Sequence, residues 1–293
     1  MIPRAFEYFD PPTLEEAVGL LERHGDDAKL MAGGQSLLPM MKLRMVSPAV
    51  VVDLWRVPDL DTIRQDGGMI RIGAMTTHYA LHTSPLIQSA LPALADAARV
   101  VGDPLVRNLG TIGGSAAHAA HNADYPAVLV ALGAEVQAVG PNGERSIPVE
   151  DFFTDTFTTC LEPTEIVTEI SIPVSGDADR SVYLKLSRRG TDFAIVGVAV
   201  VLTEDASGRC ADARVVLTGV GSTPVRATEA EEVLKAGPLD SDRIREAGEA
   251  AKRSLDPPSD VQADAQYRVD VSGVYVRRAV AAARERGGQE RGG

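Results

Sequence analysis

Between residues 14 and 21 the apolar positions Leu14, Ala17, Val18 and Leu21 recur at the spacing of one helical face. Thr13 before them and Glu16 three residues on form a capping box, and Gly25 suits the position just past the helix end. The period then shortens. "AKLMA" (28–32) runs into Gly33–Gly34, and "AVVVDLW" (49–55) follows, so the chain opens in a β-α-β-like way. "MIRIGAM" (69–75) predicts another strand, and Ser84–Pro85 predicts a helix from there to about Val101. Tyr125–Leu132 reads as a helix, and 134–149 as a hairpin turning at Asn142–Gly143. In "EIVTEISIP" (165–173), Ile166, Thr168, Ile170 and Ile172 are expected to share one face.

The rhythm changes after Asp177–Asp179, which reads as a linker. Three strand-like runs come first: "SVYLKLSRR" (181–189), "AIVGVAVVLTED" (194–205) and "ARVVLTGVG" (213–221). Three helical segments follow, near 226–236, 240–254 and 264–285. Strands followed by helices imply an α+β module. The tail "RERGGQERGG" (284–293) is expected to be disordered.

Composition narrows the function classes. At 293 residues the chain can bury a sizeable core in two or three domains, and 44% hydrophobic with 24% charged residues suits a globular protein. A net charge of −12 argues against nucleic acid or an anionic membrane as main partner. A nucleotide cofactor stays compatible, because a few backbone N–H groups can hold a pyrophosphate. Cys160 and Cys210 lack any CxxC context. They could form one disulfide or remain thiols in a reducing compartment, but they cannot hold an iron–sulfur cluster. The start "MIPRAFEYFDPPT" has no apolar core of a signal peptide, and no apolar run approaches the ~20 residues of a spanning helix. The expected location is the cytoplasm.

Two stretches carry candidate chemistry. "AGGQS" (32–36) and "TIGGS" (111–115) each pair two glycines with a hydroxyl residue. Paired glycines allow positive φ and close approach to a ligand, and consecutive N–H groups then form an anion nest. Ser36, Thr111 and Ser115 add hydroxyls. Two such stretches point to one diphosphate shared between two segments, whereas either alone reads as a tight turn. "TGVGSTP" (218–224) is a rival glycine site, but Pro224 stands where a dinucleotide fingerprint needs its third glycine. It reads as a strand-to-helix turn. His78 and His82, and His118 and His121, have helical spacing without a third metal ligand. The first pair reads as surface or loop histidines and the second as extending the glycine segment toward a ligand; no metal site is expected. Asp124 reads as an N-cap or a ribose contact, Lys185 as an exposed strand lysine or a ligand contact, and Phe193 as a core aromatic. No nucleophile–base signature is present, so no catalytic acid–base residue is assigned; the pattern favours a protein that holds a reactive cofactor.

"AGGQSLLPMMKLR" and "VRNLGTIGGSAAH" resemble the two cofactor segments of the FAD-binding medium subunits of molybdenum hydroxylases, the xanthine dehydrogenase and aerobic carbon monoxide dehydrogenase family. "GAMTTH", "ADYPAVLVALGAEV", "EIVTEISIP" and "YRVDVSGVYVRRAV" follow in family order, and the likeness is nearest to the carbon monoxide dehydrogenase type. The resemblance implies an α+β protein with a vanillyl-alcohol-oxidase/PCMH-like FAD-binding domain. That domain would have two α/β subdomains, 1–57 and 58–177. A C-terminal domain, 178–293, would have a three-stranded antiparallel sheet and a three-helix bundle. It implies that Ala32, Gly33, Gly34, Gln35, Ser36 and Leu37 wrap the FAD pyrophosphate from one side, and Thr111, Gly113, Gly114 and Ser115 from the other. His118 and Asp124 match positions near the phosphate-ribose portion. Val167 and Lys185 match positions near the adenine or the isoalloxazine edge, and Phe193 an aromatic beside the isoalloxazine.

The implied function is an oxidoreductase subunit that passes electrons from [2Fe–2S] clusters through FAD to an external acceptor. Its partners would be a molybdenum-cofactor large subunit and a [2Fe–2S] small subunit in a dimer of heterotrimers, with any membrane association only through the complex. Two other classes remain: a cofactor-free partner of the same fold, and a free-standing FAD oxidoreductase. Departures from the family pattern are Gln35 for His, Ser115 for Asn or Asp, Phe193 for Tyr, and "HAAHNAD" (118–124) for a stretch with an inner Asp and Pro.

Overall fold

The computed structural model describes residues 2–174, 176, 179–205 and 209–290. The opening segment folds as β1 (Glu7–Phe9), α1 (Leu14–His24), β2 (Ala28–Met31), α2 (Leu37–Lys42) and β3 (Val50–Asp53). The strands form a parallel sheet in the order β1-β3-β2. Thr13 caps α1 by accepting from the Glu16 N–H at 3.2 Å, and Gly25 ends it at φ +52°. Ala17, Val18, Leu20 and Leu21 of α1 bury against Val50 and Val52, as the helical spacing requires.

The middle segment contains β4 (Ile63–Asp66), β5 (Met69–Gly73), α3 (His78–Thr83), α4 (Pro85–Ala90), α5 (Pro92–Val100), α6 (Pro104–Leu109), α7 (Ile112–His118) and α8 (Asp124–Leu132). It continues with β6 (Glu135–Gly140), β7 (Gly143–Pro148), α9 (Val149–Phe152), β8 (Phe153–Asp155), β9 (Thr158–Thr159) and β10 (Ile166–Pro173). Its five-stranded antiparallel sheet has the order β4-β5-β10-β6-β7. The helix expected from Ser84 to Val101 is two helices. Pro92 has no N–H to bond back into the preceding turn, so the chain breaks at Leu91 (φ −134°, ψ 61°) and restarts with Pro92 in the first turn of α5. The hairpin closes one residue earlier than its Asn-Gly pair suggests, because Gly140 pairs with Gly143 across Pro141–Asn142. A register shift between Val167 and Glu169 splits the expected face of β10. Val167 thereby joins Ile170 and Ile172 in the core of this segment, while Ile166 joins the core around α1.

The last segment holds β11 (Asp179–Leu186), β12 (Val196–Glu204), β13 (Cys210–Thr218) and β14 (Val225–Arg226), then α10 (Thr228–Lys235), α11 (Ser241–Ala250) and α12 (Ala265–Glu290). The sheet is antiparallel and gains β14 as a short fourth strand beyond the three expected. Val198, Val200, Leu202, Val215 and Leu217 bury under the helices, against Leu234, Ala247, Val276 and Val280. Tyr183, Ala199 and Val216, on the other face, belong to the core of the middle segment. Burial on both faces explains the unbroken apolar run of β12. The expected linker at Asp177–Asp179 falls largely outside the described residues. The tail expected to be disordered is helical as far as Glu290, and 291–293 lie outside the described residues.

Candidate functional site

β2 delivers the chain into Ala32–Ser36, and the α6–α7 junction delivers it into Gly110–Ser115. The two segments touch. A Cβ at Gly33 would sit 1.8 Å from the Leu109 carbonyl oxygen and 2.7 Å from the Gly110 Cα, so only glycine allows this approach. Gly34 takes φ +70°. Beside this seam lies a cavity of about 660 Å³. All fifteen positions matched by resemblance line it, from Ala32–Leu37 through Thr111, Gly113, Gly114, Ser115, His118, Asp124 and Val167 to Lys185 and Phe193.

The two segments do different work. In the first, the N–H groups of Gly33, Gly34, Gln35 and Ser36 have no intramolecular acceptor among the described residues. They form a row of free donors, which suits an anion. The Ser36 hydroxyl makes no capping bond to α2. The second segment is not a nest, which corrects the reading from its glycines. It is the first turn of α7, and its amides are taken: Ile112 donates to Thr76 O at 3.0 Å, Gly113 to Ala74 O at 2.9 Å and Ser115 to Thr111 O at 3.0 Å. Gly114 donates to Thr111 Oγ1 at 3.1 Å, the N-cap bond. The glycines here serve close packing. A Cβ at Gly113 would lie 2.4 Å from Ala74 Cβ, and one at Gly114 would lie 2.8 Å from Thr111 Oγ1 and 3.3 Å from Ala32 Cβ.

Asp124 is the first residue of α8, one position past its N-cap, and it turns inward. Its carboxylate accepts from the Tyr183 hydroxyl at 2.7 Å and from Lys185 Nζ at 3.0 Å. Burial raises its pKa, opposed by Lys185 and Tyr183. Lys185 is not the exposed strand lysine of the simplest reading. Its side chain is 5% exposed, and Nζ also donates to Val100 O at 3.1 Å. Phe193 is not a core aromatic; it is 49% exposed and borders the cavity. His118 packs its ring on Phe157 at 5.0 Å, and burial lowers its pKa.

The structure adds residues that the pattern missed. His78 is buried, lines the cavity and bonds Tyr125 Oη through Nδ1 at 2.9 Å. Its helical spacing with His82 is visible in the sequence, but nothing there marks it as buried. Phe157, also lining, holds φ +58°, which is unusual for a bulky residue; its N–H donates to Ala119 O at 2.8 Å. His121 does not line the cavity. It faces the last segment, where its carbonyl accepts from the Gly219 N–H at 2.9 Å and the Thr218 hydroxyl at 3.0 Å. Its ring nitrogens are buried without partners among the described residues, and burial and then Arg268 lower its pKa. Among the described residues no cluster of three metal-ligating side chains occurs, and Cys160 and Cys210 are free thiols.

Free amides, a hydroxyl, close-packed glycines and an exposed aromatic around one cavity define a protein that binds a phosphate-bearing aromatic cofactor. Comparison makes the class specific. Residues 4–175 match the FAD binding domain in molybdopterin dehydrogenase, and 181–283 match the CO dehydrogenase flavoprotein C-terminal domain. The chain is 41% identical to the carbon monoxide dehydrogenase medium chain of Hydrogenophaga pseudoflava, covering 97% of this chain and 98% of that one. It is 42% identical to the 6-hydroxypseudooxynicotine dehydrogenase complex subunit alpha of Paenarthrobacter nicotinovorans, over 98% and 97%. Two solved structures are similar: carbon monoxide dehydrogenase from Hydrogenophaga pseudoflava, with TM-score 0.94 and 42% identity over 97% of this chain and 98% of that one, and quinoline 2-oxidoreductase from Pseudomonas putida 86, with TM-score 0.93 and 33% identity over 98% and 99%. The chain belongs to the FAD-binding flavoprotein subunits of the molybdopterin dehydrogenases. It binds FAD and is the medium-type subunit of an oxidoreductase complex like carbon monoxide dehydrogenase.

Proposed function

We propose that this chain is the electron outlet of a molybdenum hydroxylase, with FAD held in the cavity between the two glycine segments. The observation that carries the reading is the row of free amides at Gly33–Ser36, packed against Leu109–Gly110 and opening on that cavity. Ala32–Leu37 would hold the pyrophosphate by amide and hydroxyl donation. Thr111, Gly113, Gly114 and Ser115 would wall the opposite side, contributing hydroxyls and room for close approach. His118 and Asp124 would stand near the phosphate-ribose portion, Val167 and Lys185 at the adenine or isoalloxazine edge, and Phe193 beside the isoalloxazine. Bound FAD supplies electron storage between one-electron and two-electron carriers, and the protein binds it and shields it from water. No catalytic acid or base is assigned to this chain.

In this reading electrons arrive from [2Fe–2S] clusters on a small subunit, substrate is oxidised on a molybdenum-cofactor large subunit, and an external acceptor takes the electrons away. The working assembly is a dimer of heterotrimers in the cytoplasm. No helix among the described residues is long and apolar enough to cross a membrane. The parts are 1–57 and 58–177, which build the FAD domain, and 178–293, which closes it. Relatives named for carbon monoxide, 6-hydroxypseudooxynicotine and nicotine accord with substrate choice outside this subunit.

The purified chain titrated with FAD should give a flavin spectrum at about one FAD per chain. Gly114→Val should abolish uptake while the last segment stays folded, because even the first added carbon meets Thr111 Oγ1 and Ala32 Cβ. Absence of any uptake by the folded wild-type chain would favour the cofactor-free partner instead. Recovery as an active enzyme with no other subunit would favour a free-standing oxidoreductase.

A further inference from the structure

His78 lies at the seam of the two glycine segments. Its N–H donates to Gly110 O at 3.0 Å, and Gly110 leaves room for its ring, since a Cβ there would sit 2.6 Å from His78 Nε2. Gly33 packs against the Leu109 carbonyl and the Gly110 Cα. The His78 ring therefore adjoins the start of the free-amide row and lines the same cavity.

The ring's hydrogen position follows from its neighbour. Tyr125 is fully buried, and His78 Nδ1 is its hydroxyl's hydrogen-bond partner among the described residues. Were Nδ1 the donor, the Tyr125 proton would be buried without an acceptor, which folded proteins avoid. The hydroxyl therefore donates to Nδ1, and in the neutral ring the hydrogen sits on Nε2. Burial keeps the ring neutral, pushing its pKa down to about 4. Nε2 has no intramolecular partner among the described residues, and unlike the ring nitrogens of His121 it is not among the sealed atoms.

We infer that His78 Nε2–H donates a hydrogen bond to an anionic phosphate oxygen of bound FAD, with Tyr125 fixing the tautomer. The inference rests on FAD occupying this cavity. A ring donor here adds directionality to the backbone contacts. It complements the row of amides, which supplies no side-chain selectivity.

Two isosteric variants separate this role from a structural one. Asparagine can place its amide oxygen near the Nδ1 position as an acceptor for the Tyr125 hydroxyl, and glutamine its amide nitrogen near Nε2 as a donor. His78→Asn keeps a partner for Tyr125 but loses the cavity donor. His78→Gln keeps the cavity donor but loses the Tyr125 bond. FAD affinity, read by flavin fluorescence titration, should weaken about tenfold or more in His78→Asn, the loss of one hydrogen bond to a charged group, and by less than about threefold in His78→Gln. The stability of the FAD-free chain should follow the opposite order. Equal affinities, or the reverse order, would overturn the inference. If either variant fails to fold, the wild-type chain labelled with 15N-histidine decides. Its His78 Nε2–H resonance should shift on FAD addition, and an unmoved resonance would overturn the inference. Wild-type chain that binds no FAD would instead remove the underlying site reading, so the two failures are distinguishable.

Discussion

Burial gives single histidines a consequence for stability. Burial first, and the Arg107 charge second, hold His78 down to about 4 from 6.5, and burial also lowers His118 and His121. In the unfolded chain the His78 ring protonates near its ordinary value, so between about 4 and 6.5 the unfolded state binds more protons. Its contribution, on the order of 3 kcal/mol, is fully present above about 6.5 and is lost as pH falls through that window, and His118 and His121 act in the same direction. The melting temperature of the FAD-free chain should fall between pH about 7 and about 4.5, and His78→Gln should flatten that fall. A fall of unchanged steepness in the variant would assign it elsewhere. None of this was legible locally, because an i,i+4 histidine pair looks alike on a surface and beside a buried tyrosine. Lys185 and Phe193 make the same point in opposite directions: the lysine is buried by its partners, and the aromatic ring borders a cavity.

At the scale of elements, local pattern and capping did most of the work. The Thr13 cap of α1, the α8 helix and the main strands of the last sheet follow from short-range spacing. The failures have local causes too. Pro92 divides a helix, and a bulge near Thr168 turns Val167 to the face of Ile170. α7 is the informative case. Its glycines read as a loop, yet the Thr111 hydroxyl takes the Gly114 amide and starts a helix. Thr111→Ala should cost the FAD-free chain about 1 kcal/mol in denaturant unfolding, and Thr111→Ser should cost a few tenths. Equal stability of both variants and wild type would mean that the cap bond contributes nothing.

Across the whole molecule, the last segment holds the end of the glycine site. Residues 121–124 are fastened by Gly219 and Thr218 to His121 O, by Ala194 to Asn122 O at 3.3 Å, and by Tyr183 and Lys185 to Asp124. The Asp124–Lys185 pair spans the two segments with both side chains almost fully buried. Removing one partner strands the other, so Lys185→Met should destabilise by about 3–5 kcal/mol, and Asp124→Leu added to it should restore much of the loss. A double variant no more stable than Lys185→Met would deny the pairing. The stretch "HAAHNAD" (118–124) is thus held by the last segment.

The sequence by itself determined the periods, the main caps and the family, because these depend on neighbours a few residues away or on long matched motifs. Only the tertiary structure decided which amides stay free. The same two-glycine chemistry is a donor row at Gly33–Ser36 and a packed helix turn at Ile112–Ser115, and the difference lies in distant acceptors at Ala74 and Thr76. It also decided which charged and aromatic side chains are sealed, since burial is set by elements far away in the chain that pack on them.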